Sequence, residues 1–312
     1  MRFAKVILIL ALLGFAPLAG RCADAAGGTA APAEHAESGL PAKAGAVFKI
    51  GEFPVTNSMI VTWIVALLVI AFAQVATRNM KIVPDGAQNF WEFLVESLHN
   101  FLSDIVGRDL INSSFWFFAT IFIFILFTNW FGLIPGVGTI GWGQTTEHGF
   151  EVTRPILRGG NADLNMTFAM SAIFMVCWLF WALKSNGVVG FALHLFGPKG
   201  ETSGIIKYIM IVVFFAVGFL ELLSIAFRPI SLSFRLYGNI FAGENLLDAM
   251  SKVIQHPIWL RNAASALLPV PFYFFEILVG LVQALVFMLL TAVFTALILP
   301  HENEHGHEEQ KH

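Results

Sequence analysis

Charge is what this chain has least of. Lys, Arg, Asp and Glu make up 12% of its 312 residues, about half the share of an ordinary soluble domain, while 57% are hydrophobic and the mean hydropathy is +0.74. That balance excludes a soluble globular protein and describes an integral membrane protein. A net charge of −3 is too small to attract nucleic acid or another polyion, which removes that class of partner. Cysteine is scarce too. Of the two present, Cys22 lies in a leader-like N-terminus; with that removed, Cys177 has no partner for an intrachain disulfide and reads as a packing thiol. The sequence contains no G-x-x-x-x-G-K-[ST] loop, so ATP chemistry is not placed on this chain. It also has no G-x-S-x-G turn, which argues against an intramembrane hydrolase.

Two motifs that are present fail on context. Gly136-Val137-Gly138-Thr139-Ile140-Gly141 fits G-x-G-x-x-G, but it follows an apolar helix rather than a strand, so it reads as a flexible loop and not a dinucleotide site. His301-Glu302-Asn303-Glu304-His305 fits H-E-x-x-H. That pattern needs both His on one face of a rigid helix, and here it follows Pro300 in a polar His/Glu-rich tail. No metal or other cofactor is expected.

The N-terminus pairs Arg2 and Lys5 with an apolar run over 6–18 and small residues around Ala23 and Ala25. This fits a cleavable secretory signal over 1–25, with an uncleaved anchor as the alternative. Residues 26–58 then form an exported arm, whose Ala, Gly, Pro and charge over 26–51 predict mobility. A membrane domain covers 59–300, and 301–312 form a cytoplasmic tail. The fold class is all-α and polytopic, with about five crossings. The first is expected over 59–77, the second over 115–134, the third over 166–183, the fourth over 208–250 and the fifth over 270–299. Between the first two, residues 85–106 place Phe90, Trp91, Leu94, Leu98, Leu102 and Ile105 at helical spacing opposite Glu92, Glu96, His99 and Asp104. That is an amphipathic helix lying in the membrane surface. Polar loops are expected over 135–163 and 184–207. The fourth element is too long for one upright helix and must tilt or bend, with Pro229 as a bend point. The last two crossings make two long tilted helices in a row. Five crossings after an exported N-terminus put the tail in the cytoplasm. The basic residues agree weakly, seven in the segments that would lie inside and six in those outside, so the signal sets the orientation.

Within the fourth crossing sits Arg235. A guanidinium at mid-membrane costs about 2.5–3.5 kcal/mol on insertion scales, which makes it a functional candidate. It keeps its proton at physiological pH, so it can repel, pair or orient but cannot shuttle protons. At 100° per residue, Glu221 and Asn239 share its side of the helix, whereas Glu244 is about 180° away. On the fifth crossing Glu276 and Gln283, seven apart, form one polar stripe. A carboxyl withdrawn from water holds its proton more readily than one in water, so Glu244 and Glu276 are candidate relay groups. The plainer account is that these residues form buried structural pairs, for instance Arg235 with Glu221 or Glu244. The convergence of several intramembrane polar groups favours an ion pathway instead.

Arg235-Leu236-Tyr237-Gly238-Asn239, then Ala242-Gly243-Glu244, preceded by Arg228-Pro229-Ile230-Ser231-Leu232, resembles the signature of subunit a of the F-type ATP synthase. Glu276 and Gln283, and Asn161-Ala162-Asp163-Leu164-Asn165, are similar to that family as well. The resemblance runs over about 48–300, with the arm, the extended loop 135–162 and the tail lying outside it. It implies a stator subunit of the Fo sector in a bacterial inner membrane, N-terminus periplasmic and C-terminus cytoplasmic. Its partners would be the ring of c subunits, b-type peripheral stalk subunits, the remainder of the F1Fo complex and the lipid bilayer. Arg235 would face the ring and separate two aqueous half-channels. Asn239, Glu244, Glu276 and Gln283 would line the path from outside, with Asp163 near its mouth, and Glu221 would lie toward the cytoplasmic exit. Many relatives carry histidine where this chain has Glu276. The alternative function is a self-contained cation channel or secondary transporter. It predicts paired repeats with matching broken helices, and the arginine segment occurs once.

Overall fold

The computed structural model describes residues 44–50, 53–134, 136–137, 140–146, 149–196, 205–254 and 258–297. The expected leader and the tail with its H-E-x-x-H motif lie outside them. Seven helices carry the described chain, and five are long and apolar enough to cross a membrane. The all-α polytopic fold is therefore observed, with two small antiparallel ribbons added to it.

The first ribbon pairs β1 (Ala46–Ile50) with β2 (Phe53–Thr56). It occupies the end of the expected mobile arm, which is thus structured close to the membrane domain. Its apolar alternation supplies a buried Val55, and the backbone N–H of Asn57 donates to the Gly45 carbonyl at 3.0 Å. Helix α1 (Asn57–Thr77) starts here, its first turn capped by the Thr56 hydroxyl accepting from the Met59 N–H. Helix α2 (Gly86–Val106) is the amphipathic segment. Leu98 and Leu102 are buried, and Gln88 ties the helix start to Glu92 at 2.7 Å and to the Lys81 carbonyl at 2.9 Å. Gly107, at φ 87°, turns the chain into α3 (Arg108–Gly132), a conformation open to glycine at little cost.

The loop after α3 is not simply flexible. Strands β3 (Gly141–Thr146) and β4 (Gly149–Pro155) form a hairpin with a bulge at Trp142/Gly143. Its base is closed by the Ile156 N–H donating to the Ile140 carbonyl at 2.8 Å, and it is fastened to α1 by Asn57 Nδ2 donating to the Pro155 carbonyl at 3.0 Å. The chain returns through a single 3₁₀ turn (Gly160–Ala162) that touches α1 and α3.

Helix α4 (Leu164–Phe196) runs on beyond the expected third crossing and takes in residues 184–196 of what the sequence suggests is a polar loop. The apolar run after Gly187 continues the helical pattern, while Gly187 itself, at φ 68° and ψ 168°, interrupts the helix there. Helix α5 (Ile205–Ser251) is 47 residues long with Pro229 inside it, about 70 Å at 1.5 Å per residue, more than twice the hydrocarbon thickness. A short helix α6 (Ile258–Leu267) precedes α7 (Val270–Ala296).

The core lies around α3. Phe118, Ile125, Phe174, Trp178, Leu236, Phe287 and Met288 are buried there together, α3 packs along α7, and α4 packs along α5. The Trp178 indole N–H donates to the Phe294 carbonyl at 3.0 Å, joining α4 to α7. Of the most apolar window of α3, 56% is buried, against 11% for α5. Helix α5 is therefore the peripheral helix, and the long apolar face it leaves open carries Phe215, Phe219, Phe227, Ile230 and Phe234.

Candidate intramembrane polar site

Helix α5 divides its polar residues as the 100° rule predicts. Leu232, Leu236 and Ile240 face the core, and Arg235 and Asn239 sit on the exposed side. Among the described residues Arg235 makes no ion pair and no hydrogen bond. Neither Glu221 nor Glu244 is therefore its salt-bridge partner, and the buried pairing that the plainer account expects is found instead between Glu244 and Arg158. Glu221 is half-buried on the same helix, within electrostatic reach of Arg228. Arg228 in turn lies over the Phe294 and Trp178 rings, 4.4 and 5.7 Å from their centroids, a cation–π arrangement that holds a charge without a carboxylate.

Glu244 points the other way, into the protein. There α3, α5, α7 and the segment following the hairpin bring polar groups together. The Glu244 carboxylate lies 3.9 Å from Arg158 Nε. Glu276, on α7, is buried with its carboxyl group against the backbone of Gly243, where a Cβ would overlap it. Asn239 Nδ2 donates to Gln283 Oε1 at 2.8 Å, connecting the arginine face of α5 to the polar stripe of α7. Beneath this, Asn129 on α3 donates to the Gly280 carbonyl at 3.0 Å and accepts from Asn161 Nδ2 at 2.6 Å. Asp163 is buried; its Oδ2 accepts from the Ser58 hydroxyl at 2.5 Å and its Oδ1 from the Asn165 N–H at 3.0 Å. It caps the start of α4 and ties it to α1.

The structure thus joins Glu244 and Glu276 in one cluster and links Asn239 to Gln283. It leaves Glu221 apart from them and gives Asp163 a bonding role at the start of α4. Sequence reasoning missed Arg158 and Asn129, and it noted Asn161 as part of a family motif without giving it a role. A faint signal existed for Arg158, a basic residue five positions before Asp163 and followed by two glycines. At Gly159 a Cβ would overlap the Glu244 carboxylate, and at Gly160 it would come within 2.7 Å of Thr128 Cγ2 and 2.9 Å of Thr62 Oγ1. Only glycine lets this segment lie so close to α1, α3 and α5.

Two carboxyls lie within electrostatic reach of each other, with a buried cation beside one of them and a chain of amides around them, and a carboxyl in such a setting is a group that can take and release a proton. Among the described residues no group of three His, Cys, Asp or Glu is placed to ligate a metal ion.

The sequence model of the family described as ATP synthase A chain matches residues 59–296, a range that includes the hairpin loop. The chain is 31% identical over 249 residues to the ATP synthase subunit a of Gloeobacter violaceus, covering 80% of this chain and 86% of that one. It is 32% identical over 251 residues to that of Desulforamulus reducens, with 80% and 81% covered. It is also 30% identical over 246 residues to a sodium ion specific ATP synthase subunit a from Propionigenium modestum, with 78% and 73% covered. With five apolar helices of crossing length, a polar cluster inside them and a family match over most of its length, the chain belongs to the ATP synthase subunit a family, a non-catalytic membrane component of that complex.

Proposed function

We propose that this chain is the proton-conducting stator subunit of an F-type ATP synthase in a bacterial inner membrane, and that it provides two aqueous half-channels separated by Arg235. A proton enters from outside along Asn239, Glu244, Glu276 and Gln283, with Asp163 near the mouth. It crosses to a carboxylate on a ring of c subunits, travels with the ring, and leaves toward the cytoplasm near Glu221. The observation that carries this reading is the two-sidedness of α5. Arg235, which has no ion pair among the described residues, lies on the open side of α5, where a curved partner would seat, and Glu244 faces the inward cluster. An intramembrane cation that is exposed and unpaired in the isolated chain is costly unless a partner supplies the opposing charge. The b-type stalk subunits and the rest of the F1Fo complex complete the assembly. On this chain alone the half-channels do not connect, so it conducts nothing by itself. That separates it from a self-contained channel or transporter.

The coupling ion is taken as a proton in this reading, because Glu244 and Glu276 are groups that can take and release one. ATP-driven acidification of inverted vesicles carrying the assembled complex tests it directly, in sodium-free buffer and with sodium added. Uptake that is full without sodium, with the chain co-purifying with a ring of small hairpin subunits, is the expected result. Strict dependence on sodium would replace the proton, and conduction by the purified chain alone would restore the channel alternative.

A further inference from the structure

Arg158 is the buried cation that the two-half-channel reading leaves without a task. It is 6% exposed, and none of its three guanidinium nitrogens makes a hydrogen bond among the described residues. A structural arginine at such depth ordinarily spends its five N–H donors on carbonyls and carboxylates. Here the contacts are electrostatic: the Glu244 carboxylate at 3.9 Å and the face of Phe241 at 5.9 Å from the ring centroid. Phe241 is itself stacked on Tyr237 at 5.3 Å, so the aromatic wall is held in place. The charged and titratable groups within electrostatic reach of Glu244 are Arg158, from the segment after the hairpin, and Glu276, from α7. Arg158, Asp163 and Glu244 reach Tyr237. Glu276 is therefore within electrostatic reach of Glu244, and among the described residues the cation beside Glu244 arrives on a separate element rather than on either carboxyl's own helix.

We propose that Arg158 is a positioning residue of the outside half-channel. It is a second fixed cation, delivered by the β3–β4 hairpin, that sets a positive local potential at Glu244 and holds its carboxylate facing the uptake path. The inference rests on the half-channel reading, but it makes a separate claim about where positive potential lies. Close approach requires Gly159, beside Glu244, and Gly132, beside both. The hairpin fixes the approach through its closure at Ile140–Ile156 and its hydrogen bond from Asn57. A fixed cation in a low-dielectric cleft concentrates anions and repels cations near it.

The test reads that potential in the assembled complex. In a Cys177→Ser background, Glu244→Cys is treated from the outside with anionic and with cationic methanethiosulfonate reagents, each rate being divided by its rate with a small free thiol. With Arg158 intact the anionic reagent is favoured, and Arg158→Gln in the same background lowers the anionic-to-cationic ratio by about tenfold, while Arg158→Lys restores most of it. A second arm keeps Glu244. There Arg158→Lys retains ATP-driven proton uptake and Arg158→Met loses most of it with the complex still assembled. A ratio at or below one in the Arg158-intact protein overturns the proposal without any change at 158, as does full uptake in Arg158→Met. If the thiol introduced by Glu244→Cys reacts with neither reagent, position 244 is not on an aqueous path; that outcome overturns the half-channel reading and takes the role of Arg158 with it.

Discussion

At the scale of single residues, the chain turns Glu244 and Glu276 inward, where the proposed relay needs them, and leaves Arg235 on the exposed side of α5. Glu276 is 4% exposed, and its Oε1 has no hydrogen-bond partner among the described residues. A carboxyl left partly unsatisfied at that depth is costly as structure and useful as a relay. Glu244→Gln or Glu276→Gln should therefore slow ATP-driven proton uptake by at least about tenfold, a general acid–base scale of loss, with the complex still assembled. Glu276→His should retain part of the rate, because imidazole also titrates near neutrality. Normal uptake in the double Gln variant would take both residues off the path. Gly243→Ala is a subtler probe of the same point, since its methyl group meets the mobile end of Glu276 rather than backbone. It should displace the carboxyl and lower the rate without lowering assembly. Arg235, Glu244, Glu276 and Gln283 were legible in the sequence because a charged or amide side chain stands out in an apolar run. Arg158 was not, because in a polar loop one more basic residue carries no contrast, and its burial comes from contacts with residues as far along the chain as Phe241 and Glu244.

At the scale of elements, apolar length and periodicity fixed what could be read, and pairing decided what could not. The crossings and the amphipathic helix follow from runs and spacings that each helix carries within itself, so expected and observed bounds differ by a few residues at most of their ends. The hairpin after α3 has no such signature. Its strands are rich in Gly and Thr, and only cross-strand pairing and the anchor on Asn57 order them. The extension of α4 past residue 184 was hidden by its lysine and asparagine, although Leu195 within it is buried. That extension brings Leu195 and Phe196 against Gly218 on α5. A Cβ at 218 would overlap the Leu195 carbonyl oxygen and lie 2.7 Å from Phe196 Cδ1, and a main-chain carbonyl cannot swing aside as a side-chain end can. Gly218→Val should cost about 1–3 kcal/mol by overpacking and reduce the yield and thermal stability of the complex. Gly238→Ala should leave the stability of the chain intact, since a Cβ there meets nothing within 4 Å. Equal stability of the two variants in a thermal-shift assay would contradict the close α4–α5 contact.

At the scale of the whole molecule, orientation and the charge barrier have to agree. In the proposed orientation, an exported N-terminus followed by five crossings would place the hairpin outside and the tail inside. With Cys177 replaced, single cysteines at Ser38 and Thr145 should react with an impermeant thiol reagent from outside, and one at Asn303 only from inside; labelling of Asn303 from outside would invert the assignment. That orientation would put the Arg158–Glu244–Glu276 cluster on the side from which protons enter in the proposed mechanism, with Arg235 on the open face of α5 between that cluster and Glu221. A fixed cation at this position favours the ionised form of any carboxylate that passes it. Each ring site would then surrender its proton on arrival and could not cross the interface still neutral. Charge, more than packing, is what the position requires, because among the described residues the side chain makes no hydrogen bond or ion pair within its own chain that would be lost. Arg235→Ala and Arg235→Gln should abolish ATP synthesis and ATP-driven pumping while insertion and assembly stay normal, and should open a passive proton leak measurable as faster decay of an imposed pH gradient. Arg235→Lys retains a charge but loses the planar fork and can deprotonate when buried, so it should fail or nearly fail as well. Near-normal ATP synthesis by Arg235→Ala in inverted vesicles would mean that the two half-channels are kept apart by something other than this arginine.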